Sequence, residues 1–140
     1  LGNVPDEAAG PLAAALDAAT RPFRPFRARL KGVGAFPNAR RPRVVWVALE
    51  DPRPMVDLAL AVRGALAAAG HPGDDKDFRA HVTLARTRSE GGLDRLVAFL
   101  RDHGRDDLAD LEVGEVRLYR SVLGTGGARH EVVHAARLEA

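Results

Sequence analysis

The chain contains no cysteine and only one methionine, one tryptophan and one tyrosine among its 140 residues. The lack of cysteine excludes disulfide bridges and thiolate metal sites. Long apolar runs are also missing, because no stretch approaches the roughly 20 residues that cross a membrane. The first residues do not resemble a secretory signal peptide. We therefore expect a cytoplasmic protein that does not contact a membrane.

An excess of charge of one sign is lacking as well. The 21 lysines and arginines nearly balance the 19 acidic residues, and the formal net charge is +2. This balance permits an anionic partner without requiring one. The hydrophobic share of 46% and the length of 140 residues suffice for one domain with its own core. We expect residues 1–140 to form a single domain.

The clearest chemical pattern lies in the stretch Phe78–Arg86. Read as a strand, its period of two puts Arg79, His81 and Thr83 on one face and three apolar residues on the other. The apolar face can then enter a core. Arg86 has the opposite parity, so it joins the polar face only if the strand ends or bulges before it.

These residue types suit a phosphoryl group. The imidazole of His81 can move a proton near neutral pH. The hydroxyl of Thr83 and the guanidinium of Arg86 can hold phosphate oxygens. The alternative is that His81 is a packed or surface residue without chemistry, because His-x-Thr by itself arises often by chance.

Hydrophobic periodicity predicts the other elements. Strands that are close in sequence are predicted hairpin partners in two places, 26–33 with 44–50 and 112–119 with 130–138. We therefore predict an α+β fold with antiparallel pairing rather than a doubly wound parallel sheet. The predicted helices are 6–19, 52–69 and 93–103, and the predicted loops are 32–38, 71–77, 87–92 and 121–129.

Several residues in these elements have two interpretations. The strand over 26–33 has a basic outer face, which could contact RNA or could simply be solvated. Phe36, in the loop over 32–38, could stack on a base or lie over the core. The strand Val44–Glu50 is predicted to be buried on both faces. Its Trp46 could belong to the core or form a platform for a ligand.

Three stretches together resemble the two-histidine (2H) phosphoesterases. Within them, the chain is most similar to the bacterial and archaeal RNA 2′,3′-cyclic phosphodiesterases, also described as 2′-5′ RNA ligases. The resemblance implies an α+β fold of two pseudo-symmetric lobes of antiparallel sheet, with helices packed outside and a central cleft. The matching stretches are Phe78–Arg86, which resembles the second His-x-Thr-x motif with its trailing arginine, Gly34–Pro37 with Arg43–Val47, and Leu118–Gly124.

The resemblance implies metal-independent hydrolysis of RNA 2′,3′-cyclic phosphodiester ends to 2′-phosphomonoesters. It makes His81 and Thr83 catalytic, and Arg86 a phosphate ligand. We add Arg79 and Phe36 as substrate-binding candidates, and we expect no cofactor and no metal. The expected partners are RNA with a 2′,3′-cyclic phosphate end or small cyclic nucleotides. The alternatives are 2′-5′ RNA ligation and a non-catalytic module that binds RNA ends.

The chain departs from the family pattern in two places. Family members carry their first His-x-Thr-x motif just before a segment like Leu1–Pro5, so this chain lacks the strand with that motif. Because losing a central strand would cost several buried side chains at roughly 1.5–3 kcal/mol each, we expect the natural protein to include it and to be monomeric. The second departure is Ala80, where the family favours proline.

Overall fold

In a computed structural model, residues 1–88 and 91–140 are described, and this part of the chain holds six strands and three α-helices. Its contacts divide it into two compact units, one of residues 1–26, 56–78 and 113–140, the other of residues 27–55 and 79–112. The elements are a 3-10 turn Asp6–Ala8, α1 (Ala9–Thr20), β1 (Phe26–Phe36), β2 (Val44–Leu49), α2 (Arg53–Ala68), β3 (His81–Arg86), α3 (Leu93–Asp102), β4 (Asp107–Val113), β5 (Glu115–Gly124) and β6 (Gly127–Arg137).

The unit of residues 27–55 and 79–112 is built on a four-stranded sheet in the order β3-β2-β1-β4. β2 runs antiparallel to both β1 and β3. Alternate side chains of β1 and β2 point to α3, where Ala35, Val45 and Leu100 form a buried cluster. Val33 and Leu96 pack against this cluster. The opposite face of the sheet carries the candidate site.

Gly32 explains why β1 is longer than predicted. Gly32 has a φ of 76°, and its N–H donates a 2.7 Å hydrogen bond to the carbonyl of Asp106, which follows α3. The strand therefore continues through this position. A Cβ at this position would lie 2.4 Å from the carbonyl oxygen of Gly104. Pairing with β2 shifts register between Leu30 and Val33 and then continues to Phe36. The loop predicted over 32–38 is therefore wrong for residues 32–36, which belong to β1.

Two expectations about burial are wrong. β2 is not buried on both faces, because Val45, Val47 and Leu49 are buried while the alternate residues are half-buried. The apolar face of β3 does not enter a core, since Val82 is 38% and Leu84 55% exposed. Within residues 1–88 and 91–140, β3 is an edge strand that pairs with β2 alone. An edge position leaves apolar side chains uncovered that a central strand would bury.

The unit of residues 1–26, 56–78 and 113–140 packs α1 against the hairpin of β5 and β6. Leu12 and Leu16 of α1 are each 2% exposed. His134 of β6 donates a 2.8 Å hydrogen bond from Nε2 to the carboxylate of Asp17. The loop predicted over 121–129 is wrong, because both strands continue to a tight turn between Gly124 and Gly127.

The α+β class and both predicted antiparallel pairings are confirmed. The three predicted helices are present with ends shifted by a few residues, and the irregular start of the first is its 3-10 turn. β4 was not predicted as a separate strand, because its alternation is obscured by the acidic residues that it carries at 107, 110 and 112. Among the described residues, no helix is long and apolar enough to span a membrane.

Candidate active site

A β-bulge in β3 decides which side chains share a face. Thr83 lies opposite Trp46 and His81 opposite Ala48, while Arg86 lies opposite Val44. These β2 partners alternate along the strand and so project from one face. Between Thr83 and Arg86 the register shifts by one residue. The shift corrects the parity of Arg86, which joins His81 and Thr83 on the same face of the sheet.

The imidazole of His81 is held by one hydrogen bond to the backbone. Its Nδ1 lies 2.6 Å from the carbonyl oxygen of Arg79. A carbonyl oxygen can only accept, so Nδ1 carries the hydrogen and Nε2 keeps its lone pair. His81 and Thr83 are both exposed. The side chain therefore offers solvent or a substrate a nitrogen that can accept a proton.

Two aromatic rings surround this imidazole. Phe36 meets His81 edge to face at 5.2 Å between ring centroids and an interplanar angle of 85°. Trp46 lies 5.2 Å from Phe36 and 6.4 Å from His81. The indole N–H is buried without a hydrogen-bond partner among the described residues, so ring packing orients the indole. Phe36 was predicted in a loop, whereas it is the last residue of β1.

Gly34 makes room for the cluster. It lies opposite Trp46 in the pairing of β1 with β2. A Cβ on Gly34 would lie 2.3 Å from Cη2 of the indole, far inside van der Waals contact. The sequence signal for this cluster is a glycine two residues before Phe36 together with a single tryptophan on the neighbouring strand. Hydrophobic periodicity does not indicate that the two residues pack against each other.

The predicted site residues are thus brought together to different degrees. His81, Thr83 and Arg86 share a face through the register of β3. Phe36 contacts the His81 ring, and the guanidinium of Arg79 lies 5.8 Å above the Phe36 ring. Their roles in binding and catalysis stay predictions. Within the described residues, no three histidine and acidic side chains gather as a metal site.

The basic face of β1 is neutralised by acidic neighbours. Arg27 donates a 2.8 Å hydrogen bond to Glu112, and Lys31 donates one of 2.8 Å to Glu50. The ammonium of Lys31 lowers the pKa of the Glu50 carboxyl, mainly through this hydrogen bond, and the carboxylate raises the pKa of Lys31. Arg29 lies 3.5 Å from Asp110. This face is a row of solvated ion pairs, and its interpretation as an RNA-contacting stripe loses its support.

Comparisons with known proteins identify relatives of this chain. An RNA 2′,3′-cyclic phosphodiesterase from Aeropyrum pernix is 34% identical over 119 residues, which cover 82% of this chain and 66% of that protein. One from Archaeoglobus fulgidus is 33% identical over 127 residues, covering 91% of this chain and 69% of that protein. The chain therefore spans about two thirds of the length of these curated relatives.

Solved structures show the same fold. A crystal structure from Thermus thermophilus matches with a TM-score of 0.73 at 29% identity, covering 99% of this chain and 74% of that one. The structure of E. coli LigT complexed with 3′-AMP matches with a TM-score of 0.68 at 22% identity, covering 99% of this chain and 72% of LigT. The resemblance to the 2H phosphoesterases is confirmed. A family model matches residues 3–125, and the chain belongs to the 2′-5′ RNA ligase superfamily.

Proposed function

We propose that this protein hydrolyses the 2′,3′-cyclic phosphodiester at the end of an RNA to a 2′-phosphomonoester. The observation that carries the proposal is the shared face of His81, Thr83 and Arg86, with Nε2 of His81 free to accept a proton. The relatives from Aeropyrum pernix and Archaeoglobus fulgidus bear the name of this activity. Both supports are independent, since one is geometric and the other rests on sequence identity.

The reaction needs one group to take a proton and another to give one. Nε2 of His81 removes a proton from water, and the water oxygen bonds to phosphorus while the bond from phosphorus to O3′ breaks. O3′ leaves as the ribose hydroxyl after it receives a proton. The resemblance assigns this second role to the histidine of the first His-x-Thr-x motif, which family members carry before the segment matching Leu1–Pro5.

Thr83 and Arg86 stabilise the charge that develops on the non-bridging oxygens. The β2 partners of His81 and Arg86 are four positions apart, a distance of about 13 Å along the strand, and Thr83 lies between them. A phosphoryl group over Thr83 is within reach of the imidazole on one side and the long arginine side chain on the other. Hydrogen bonds from these donors are worth most when the charge appears in the transition state.

Phe36 and Arg79 complete the substrate site in this proposal. The ring of Phe36 is half-buried and offers part of its surface to a ribose or base beside His81. The guanidinium of Arg79, above the same ring, adds a positive charge near the phosphate. We also propose a monomer, since every site residue named comes from one chain. We propose that it acts in the cytoplasm, since the sequence has no cysteine and so none of the disulfides common in secreted proteins.

The test is the His81→Ala variant in the full-length enzyme, assayed with a cyclic nucleotide by phosphorus NMR. We expect kcat/KM to fall by roughly 10²- to 10⁴-fold, as for removal of a general acid or base. His71→Ala, in the loop before β3, is the matched control and should keep wild-type turnover. Near-normal turnover by His81→Ala with an unchanged melting temperature would reject the proposal.

A further inference from the structure

We propose that the loop between β1 and β2 binds a second phosphate of the RNA chain, one that does not react. Residues 37–43 include three arginines and no acidic residue. The ligand is the phosphodiester backbone of single-stranded RNA on the 5′ side of the cyclic end, because the cyclic phosphate itself terminates the 3′ side. This inference rests on the proposed function, and it adds a binding site for the RNA chain next to its cyclic end.

The backbone of this loop is fixed by hydrogen bonds. The side-chain oxygen of Asn38 accepts the backbone N–H groups of Arg40 and Arg41, each at 3.0 Å. Pro42 is fully buried, and its carbonyl accepts a 3.0 Å hydrogen bond from the hydroxyl of Thr87. The two arginine side chains therefore extend into solvent from a rigid turn. Binding then orders only the side chains, which lowers the entropic cost of holding a ligand.

The loop lies at the Arg86 end of the sheet. The backbone N–H of Thr87 donates a 3.0 Å hydrogen bond to the carbonyl of Arg43, just beyond the pairing of Arg86 with Val44. His81 is about 13 Å away along the strand. A cation in the loop therefore lies beyond Arg86 as seen from the phosphate over Thr83, and Arg86 already occupies that side of the phosphate in the proposed site. The loop cation is placed for a neighbouring phosphate of the same RNA.

Two arginines of the loop, Arg40 and Arg41, lack the neutralisation seen on β1. Arg40 and Arg41 are exposed, and neither forms an ion pair with any residue of 1–88 or 91–140. On β1, by contrast, Arg27 and Lys31 each contact a carboxylate at 2.8 Å. Uncompensated cations on a rigid turn attract phosphates and gain affinity from the counterions that they displace.

The experiment compares Arg40→Gln/Arg41→Gln with a matched double variant, Arg95→Gln/Arg105→Gln. Arg95 lies on α3, which covers the opposite face of the sheet, and Arg105 follows that helix. Both variants remove two exposed charges from the same unit. Binding of a fluorescent oligoribonucleotide ending in a 2′,3′-cyclic phosphate is measured by anisotropy at several salt concentrations. Binding of a cyclic mononucleotide is measured alongside by competition.

We expect the loop variant to weaken oligonucleotide binding roughly 10- to 30-fold at 0.1 M salt. The slope of log Kd against log salt should fall by about 0.7, since each phosphate of a single strand that is neutralised contributes roughly 0.7. Mononucleotide binding and the matched control should stay at wild-type values. An oligonucleotide affinity equal to that of the control variant, or an equal loss for both ligands, would overturn the inference.

The experiment gives different results if the proposed function, rather than the loop inference, is wrong. In that case the cyclic mononucleotide is neither bound nor hydrolysed by the full-length wild-type enzyme, and His81→Ala changes nothing. Failure of the loop inference leaves mononucleotide hydrolysis intact and removes only the difference between the two double variants. An oligonucleotide that the wild type does not bind at any salt concentration also rejects the loop as a phosphate site.

Discussion

Trp46 fills the space that a side chain at position 34 would need, and this contact extends to the candidate base. The indole lies against Gly34 on one side and against the ring of Phe36 on the other. Phe36 in turn meets the imidazole of His81 at 5.2 Å. A displacement at Gly34 therefore reaches His81 through two ring contacts. Position 34 is thus linked to the imidazole through Trp46 and Phe36 without touching it.

We predict that Gly34→Ala displaces Trp46 and destabilises the protein by about 1–3 kcal/mol, the usual cost of overpacking. Because Trp46 is the only tryptophan, its fluorescence emission reports the displacement directly. Thermal unfolding monitored by circular dichroism gives the loss of stability.

Gly64→Ala is the control for the same substitution. Gly64 lies inside α2, and a Cβ there meets nothing within 4 Å. Alanine is favoured over glycine in a helix interior, so this variant should be neutral or more stable by up to about 1 kcal/mol. Emission spectra that are identical for both variants would contradict the packing described for Trp46.

At the scale of the element, the bulge of β3 places Arg86 on the same face as His81 and Thr83. Leu84 is the extra residue, since Thr83 and Ala85 both have partners on β2 and it has none. Its side chain is 55% exposed and contributes little burial. The bulge therefore matters for the direction of Arg86 rather than for the core, in keeping with the frequency of bulges beside functional sites.

We predict that deletion of Leu84 restores a regular ladder and leaves Arg86 opposite Val44, because Thr83 and Ala85 already pair with consecutive residues of β2. kcat/KM should then stay close to wild type, whereas Arg86→Ala should lower it roughly 10²- to 10³-fold, the loss typical of one missing transition-state donor. Adding Arg86→Ala to the deletion should cost as much as Arg86→Ala alone, because the contact is still there to be removed. Steady-state kinetics of the three full-length variants check this.

Leu84→Ala provides the control for that deletion. It keeps the residue count, and hence the bulge, while it removes an exposed side chain. Turnover close to wild type is expected. A deletion variant that keeps its melting temperature but loses as much turnover as Arg86→Ala would show that Arg86 does not stay opposite Val44.

At the scale of the whole molecule, one unit is assembled from both ends of the chain. α1 packs on the hairpin of β5 and β6, and the hydrogen bond between Asp17 and His134 joins residues 117 positions apart. Further hydrogen bonds link Leu138 to Gly114 and Ala140 to Phe23. Contacts as far apart in sequence as Asp17 and His134 carry a large loop-closure entropy cost.

We predict that Leu16→Ala destabilises the protein by about 2–5 kcal/mol, because the side chain is 2% exposed in the packing of α1. Leu60→Ala removes the same atoms from α2 at a position that is 55% exposed, and it should change stability by less than about 0.5 kcal/mol. Urea unfolding followed by circular dichroism measures both. Equal losses for the two variants would contradict the burial of Leu16.

Local pattern was sufficient for much of the fold. The helical stripes that contain Leu16 and Leu100 predict α1 and α3, because a 3.6-residue period marks a buried face wherever it occurs. The two hairpin pairings also follow from strands that are neighbours in sequence. The common face of His81 and Thr83 needs only the two-residue period of a strand. Each of these features depends on residues close together in the chain.

The amino-acid sequence by itself determined the helices, the paired strands, the chemistry available at His81 and Thr83, and the family to which the chain belongs. Tertiary structure decided the rest. The face of Arg86 depends on a bulge set by pairing with β2, the exposure of Val82 depends on the edge position of β3, and the packing of Phe36 against His81 depends on Gly34 admitting Trp46. A register, an edge and a close ring contact are relations between distant segments, and no periodicity within one segment encodes them.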